Sequence, residues 1–440
     1  MIAVQSIQQL AQLPSSFYGN WKVSLEPFRL STPQREQLFV LGRLLHSFIK
    51  ACNLFYYHSL REIQPRWIAE YLDLGKPNWL LALGRMNRFQ QAIHRIIRPD
   101  LVLTEEGDFV AAEFDMIPGG IGLLAQFQQL YGFQNTMLEF FSQVLREESG
   151  VQLPSTAIVM TQEAIAYRPE MSTMAIRLQE QGLPSWVVTP EELSYRPDGV
   201  FYQDKRLDLL YRFFELYELE HLPNGAALWL AIKRRQVKIT PPIKPQLEEK
   251  MWFALFHHPR LRPFWITQLG NQGHQILESL IPKTWILDPR PIPPFASLYG
   301  LEVQGTPLQE WSQLDSLTQK ERARWVAKPS GYSRMSWGAK GVRVGEDLSS
   351  SHWQQVLHEA LDSFRMGPWI LQSWAHPSGQ KFHWVGLDGA REELQVRARI
   401  SPFYFITQGG AQLGGVLATL CSLDKKILHG MPGAILAPCV

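Results

Sequence analysis

Three stretches of the chain predict a mixed α/β (α+β) fold with a helical N-terminal region. Residues 34–60 (QREQLFVLGRLLHSFIKACNLFYYHSL) carry apolar residues at helical spacing, and 61–95 continue in that style past a break at Gly75-Lys76-Pro77. Residues 155–189 read strand, helix, strand (STAIVM, PEMSTMAIRLQEQG, PSWVVT), the βαβ pattern of a partly parallel sheet. The last third is strand-rich, at 324–329, 341–344, 368–374, 382–389 and 393–406, with one helix at 351–366. A hairpin at 96–116 leads into helical texture at 122–149, and 207–220 reads as a strand running into a helix. The expected segments are 1–95, 96–150, 151–240 and 241–440, with Pro-rich TPPIKP at 240–245 as a boundary and DPRPIPPF at 288–295 inside the last segment.

Composition narrows the classes. A chain of 440 residues has room for two or three domains of ~150 residues, each with its own core. At 45% hydrophobic and 19% charged it is globular rather than disordered or coiled-coil. Lys plus Arg number 43 against 41 Asp plus Glu, a formal charge of +2, so no nucleic-acid partner is expected, although a local basic cleft stays open. Cys52, Cys421 and Cys439 form no CxxC and no even framework. Reduced thiols, the lack of a signal-peptide pattern at the start, and the lack of any apolar run near the ~18 residues of a bilayer span predict a cytoplasmic protein without a membrane partner. Oligomeric state is left open.

The hairpin at 96–116 carries the chemistry. Strand side chains alternate faces, so Arg98 and Asp100 share one face, as do Glu113 and Asp115. A two-residue loop at Glu106-Gly107 sets Asp100 opposite Glu113 and Arg98 opposite Asp115. A four-residue loop also keeps them on one face; a three-residue loop does not. The other face is then Ile97, Pro99, Leu101, Leu103, Val110, Ala112, Phe114 and Met116. Three neighbouring carboxylates lose ionisation unless a cation joins them, and Mg²⁺ takes such oxygens with phosphates completing its shell. A solvated outer face with a surface ion pair fits the same residues.

Gly120-Ile121-Gly122-Leu123-Leu124-Ala125 fits GxGxxG/A, but Glu113 and Asp115 stand where a dinucleotide fold wants a buried apolar strand. Its glycines fit a tight turn or a close approach better. After Lys328-Pro329-Ser330-Gly331 a loop of about ten residues runs to Gly341-Val342-Arg343-Val344; such a loop can cradle phosphates beside a lysine, or be a plain hairpin. Lys250 by itself reads as a solvated helix lysine. Arg397 and Arg399 share a strand face and can clamp an anion or face solvent; His257, His258, His376 and His383 lack metal-ligand spacing.

Together these segments resemble the circularly permuted ATP-grasp ligases, in particular the synthetase domain of glutathionylspermidine synthases. Arg98-Pro99-Asp100 with Glu113-Phe114-Asp115 resembles that family's R-x-D and E-x-N pair. Lys250-Met-Trp-Phe-Ala-Leu-Phe-His-His-Pro-Arg-Leu resembles its lysine helix, Trp325-Val-Ala-Lys-Pro329 its lysine strand, and Pro368-Trp-Ile-Leu-Gln372 its hinge strand. The resemblance spans roughly 85–440 and leaves the helical start uncovered. It implies a permuted ATP-grasp fold and ATP and Mg²⁺ as cofactors. Asp100, Glu113 and Asp115 would be metal ligands and Arg98 the catalytic residue. Lys250, Lys328, Ser330, Gly331, Gly338 and Gly341 would lie at the phosphates, and Gln372 at the adenine. The implied activity is a carboxylate–amine ligase using an acyl phosphate, with small-molecule or peptide acid and amine substrates. Asp115 replaces the family's Asn, the stretch between Lys250 and Lys328 is longer, and no amidase part precedes, so polyamine and glutathione specificity does not carry over. The competing readings are a catalytically silent nucleotide-binding scaffold and a dinucleotide oxidoreductase built on Gly120–Ala125.

Overall fold

The computed structural model describes residues 21–291, 297–303, 305–386, 388–430 and 433–440. The expectations for residues 1–20, for half of the Pro-rich stretch at 288–295, and for Met431 and Pro432 lie outside the described residues. The mixed α/β class is as expected, built as three main sheets that meet around one cavity.

The largest sheet is organised on a long antiparallel ribbon, Arg391–Thr407 and Gly410–Ser422, turning at Gln408-Gly409. Ile96–Leu103 and then Phe109–Asp115 extend it on one side; Ile435–Pro438 and then Lys22–Val23 extend it on the other. Thus 96–115 shares a sheet with 379–438, far away in sequence. One face packs on the helix Thr32–Leu60 and on Met251–His257 and Arg262–Leu280, through Leu41, Phe48, Phe55, Trp265, Ile400 and Ala418. Ser31 starts the long helix with a capping box to Gln34. Its 29 residues, at a hydropathy of 1.3, are long and apolar enough to span a bilayer, which corrects the expectation that no stretch reaches that length. Arg43, His46 and Lys50 interrupt any linear apolar run, yet 56% of the window is buried as a stripe in this core.

The opposite face packs on Ile121–Leu130, Thr136–Ser149 and Arg168–Glu180, and those helices also cover a parallel sheet in the order Lys238–Thr240, Leu209–Phe213, Thr156–Met160, Ser185–Val188. The expected βαβ unit is therefore present, with Thr156 paired to Ser185 in parallel register. The segment 240–247 is not an exposed linker: it is buried throughout, and the carbonyls of Pro241 and Pro242 accept from Arg212, each at 3.5 Å. The third sheet runs Thr284–Ile286, Trp369–Ser373, Trp325–Pro329, Arg343–Val344, all antiparallel. Trp325, Leu371, Trp353 and Leu357 fill one face of it. Its other face carries Val326, Lys328, Ile370 and Gln372 by strand alternation.

Candidate active site

The hairpin reaches the expected register by a route the sequence did not show. Thr104 N–H donates to Asp108 O, leaving the three-residue loop Glu105-Glu106-Gly107 with Gly107 at φ 86°. Such a loop alone would split the four charged residues between faces. A β-bulge between Asp100 and Leu101 corrects it: Leu101 pairs with Ala111 and Asp100 with Glu113, so Ala112 is the extra residue. Arg98 then faces Asp115 across the strands. The bulge also turns Phe109 and Ala111, rather than Val110 and Ala112, toward the core, where Phe109 is 2% and Ala111 0% exposed.

On the cavity floor Arg98 donates to Asp100 at 2.9 and 3.1 Å, to Asp115 at 2.8 Å and to Gly119 O at 2.8 Å. Asp100 also takes Arg399 at 3.1 Å and the Ser401 hydroxyl at 2.9 Å. Burial raises the Asp100 carboxyl, but Arg399 and Arg98 more than reverse this and hold it below its ordinary value. Asp115 ends above its ordinary value, because burial, with Glu113 and Asp100 adding to it, outweighs Arg98.

The wall opposite is lysine. Lys250 lies 3.2 Å from Glu113, and its Nζ also donates to Ser336 O at 3.2 Å. Lys328 donates to Gln372 Oε1 at 2.8 Å and to Ala112 O at 3.2 Å, the carbonyl of the bulged residue. Burial pulls the Lys328 ammonium down to about 8 despite the nearby Glu113. Glu248-Glu249-Lys250 send three consecutive charges in three directions: Glu248 to Arg212 and His94, Glu249 to Lys76, Lys250 to Glu113.

These groups line a cavity of about 380 Å³, together with the carboxyl ends of the parallel strands and the loop 330–341. Of the expected residues, Arg98, Asp100, Glu113, Asp115, Lys250, Lys328 and Gly338 are on its wall. Ser330 and Gln372 are buried behind it, at 0% and 2% exposure. Gly331 is required by packing, since a Cβ there would meet Glu249 Cδ at 2.7 Å, and one at Gly341 would meet Pro329 Cγ at 2.5 Å. The loop is fastened across the opening by Glu163, which pairs with Arg334 at 2.9 Å and Lys340 at 3.1 Å. Glu163, Tyr167, Glu215, Glu218 and Trp374 also line the cavity and were not foreseen. Burial, helped by Glu248 and Asp115, pushes the Glu215 carboxyl up to about 8. Glu215 stands two residues past the strand Leu209–Phe213; its flanking sequence, FFELYELE, carries no signal of it.

The Gly120–Ala125 pattern serves packing. Glu170 accepts from Gly120 N–H at 2.7 Å and Leu123 N–H at 2.9 Å at the start of the Ile121–Leu130 helix. A Cβ on Gly122 would meet Glu170 O at 2.1 Å. A carboxylate of the chain itself thus holds the place where a dinucleotide pyrophosphate would dock.

Among the described residues no group of three or more His, Cys, Asp or Glu is arranged to hold a metal ion. On the floor both Asp100 oxygens are engaged by arginines and Ser401, and both Asp115 oxygens by Arg98 at 2.8 Å and the Ile117 N–H at 2.9 Å. Glu113, paired with Lys250, and the remaining lone pairs of Asp115 are what the chain offers a Mg²⁺ whose shell is completed by phosphates, since Mg²⁺ takes one or two carboxylates in such sites.

No protein-family model matches the chain, and no curated protein matches it. Among solved structures it is similar to a protein of Methylobacillus flagellatus KT provisionally named a gamma-glutamylcysteine synthetase, at 10% identity and a TM-score of 0.45, over 92% of this chain and 87% of that one. A likeness of that degree assigns no activity, so the chemistry has to come from the residues above.

Proposed function

We propose that the cavity binds ATP and that the protein is an ATP-dependent ligase with a permuted ATP-grasp architecture. More particularly, we propose a carboxylate–amine ligase that forms an acyl phosphate on a small or peptide-like acid and passes the acyl group to an amine. The observation that supports this best is the grouping of Lys250 and Lys328 around Glu113, beside Arg98, under one glycine-containing loop. Lys328, whose hydrogen bonds go to two neutral oxygens, is a cation awaiting an anion, and a phosphate oxygen suits it.

Phosphoryl transfer is mostly positioning and charge stabilisation, so two lysines and an arginine are sufficient protein parts. Lys250 and Lys328 would hold phosphate oxygens, and Arg98 would stabilise charge on the reacting carboxylate. Mg²⁺, when bound with the phosphates, would neutralise charge there, with Glu113 and Asp115 as the ligands this chain offers. Asp100 fixes both guanidiniums. An acyl phosphate needs no enzyme nucleophile. Acid and amine are proposed as small molecules or peptides, in the cytoplasm.

The test is thermal unfolding with ATP, ADP or NAD, each with and without Mg²⁺, on wild type and Glu113→Ala. A ligand at ~100 times its dissociation constant adds about 2.7 kcal/mol. Stabilisation by Mg-ATP that disappears in Glu113→Ala is the expected result; no response to Mg-ATP sinks the proposal. A second reading, a nucleotide-binding protein without turnover, draws support from the closed Arg98–Asp100–Arg399 arrangement. ADP release with acid and amine pairs separates the two.

A further inference from the structure

We propose that Lys76, from the N-terminal helical region, is a positioning residue that fixes the root of the 330–341 loop and the spacing of the two cavity lysines. The proposal rests on the ligase reading only for what the lysines bind; the mechanical claim stands by itself.

Lys76 follows the helix Trp67–Asp73, and Gly75 beside it passes so close to the 366–367 backbone that a Cβ would meet Met366 O at 2.1 Å. Its side chain is 0% exposed and forms an ion pair with Glu249, itself 1% exposed. The other Glu249 oxygen accepts from the Ser330 hydroxyl, two residues beyond Lys328 and one residue before Gly331. Ser330 then gathers the surrounding backbone. Its hydroxyl accepts from Met251 N–H at 2.9 Å, its carbonyl accepts from Lys250 N–H at 2.9 Å, and its N–H donates to Pro368 O at 2.9 Å. The Tyr332 ring, where the loop begins, lies 5.9 Å from Lys76 Nζ.

The strand carrying Lys328, the segment carrying Lys250 and the first loop residues therefore converge on one serine, and that serine is held by a carboxylate whose charge is balanced by Lys76. A buried ion pair is a poor source of net stability compared with apolar packing. Its use here is directional: Glu249 spends one oxygen on Lys76 and the other on Ser330. Without Lys76 the buried carboxylate loses its charged partner, and the Ser330 anchor loosens. The helical start, which the family resemblance leaves uncovered, thereby acts on the site without touching it.

The test uses the full chain without nucleotide. Arg334 and Lys340 are partly exposed tryptic sites in the loop, with side chains 71% and 39% exposed. Cleavage after either, followed by mass spectrometry, reports loop opening. Lys76→Met is expected to speed that cleavage about tenfold, because cleavage tracks the open population when closing is fast. Ser330→Ala breaks the same linkage without stranding a charge and is expected to act in the same direction; it decides alone if Lys76→Met does not fold. Lys244→Met is the comparison. That lysine is equally buried but held by Asn53 at 2.6 Å and Gln90 O at 2.9 Å, so its loss is expected to lower the unfolding temperature without faster loop cleavage. Wild-type cleavage rates in Lys76→Met and Ser330→Ala, or equal acceleration in Lys244→Met, overturn the proposal. Failure of wild type to respond to Mg-ATP would overturn the ligase reading and leave this result intact.

Discussion

Two groups of charges meet in the cavity and are satisfied in opposite ways. On the sheet floor Arg98 and Arg399 share Asp100, so each charge there has a charged partner at 3.1 Å or less. On the lysine wall Lys250 has Glu113, while the hydrogen bonds of Lys328 end on two neutral oxygens, Gln372 Oε1 and Ala112 O. Burial accordingly lowers Lys328 to about 8, whereas Arg98 is held fully charged by Asp100 and Asp115. The floor is a finished clamp; the wall is built around a charge that the protein alone leaves partly unanswered. That asymmetry is why the proposed function puts the incoming anion at the wall.

The comparison can be broken most forcefully at its closed end. Asp100→Ala would leave two partly buried guanidiniums side by side, and removing one partner of a buried charge network costs about 3–5 kcal/mol. Urea unfolding measures this, and a loss under ~1 kcal/mol would mean the floor is not a clamp. Glu113→Ala should cost less than Asp100→Ala, since its carboxylate is 35% exposed against 2% for Asp100, while abolishing Mg-ATP stabilisation in the thermal assay. Lys328→Met should weaken Mg-ATP by ~1.5–3 kcal/mol, the scale of a charge-assisted hydrogen bond, without destabilising the free protein. Unchanged affinity by calorimetry would move the anion elsewhere.

The smallest effects are in pH dependence. Burial holds the folded Lys328 ammonium down to about 8 against its ordinary 10.5, so the unfolded chain holds more protons between those pH values. Its contribution to stability therefore rises with pH from 8 to 10.5, and Lys328→Met should remove that slope. Mg-ATP affinity should show the reverse trend, falling as pH passes 8 and the cation is lost. Glu170 behaves oppositely: burial raises it from 4.5 to about 7, so its contribution is full below 4.5 and is lost as pH climbs through 7. Calorimetric scans of Glu170→Gln across pH 4.5–7 should show a flatter profile than wild type.

Much of the floor was legible because strand alternation is local. Arg98, Asp100, Glu113 and Asp115 fall on one face by counting, and the Asp100–Glu113 and Arg98–Asp115 pairs follow from one sum of residue numbers. The turn was not legible. A three-residue loop breaks that count, and only the bulge at Ala112 restores it. The strand Gly410–Ser422 is absent from the sequence reading because paired glycines blur its pattern. Gly414 and Gly415 sit where a Cβ would meet the Phe405 ring at 2.4 Å or Gln128 Nε2 at 3.0 Å, contacts that exist only after the sheet has packed. Gln372 looked like a cavity residue and is instead the buried acceptor beneath Lys328. Lys76 looked like part of a break between helices.

By itself, then, the sequence determined whatever repeats along the chain at a fixed period: the helical stripe of 34–60, the βαβ unit, the acidic face of the hairpin and the lysine strand. Tertiary structure decided which charges answer one another. Asp100 went to two arginines, Glu249 to Lys76, and Lys328 to neutral oxygens, because burial makes an unpaired charge so costly that each site is settled by its distant neighbours rather than its sequence neighbours.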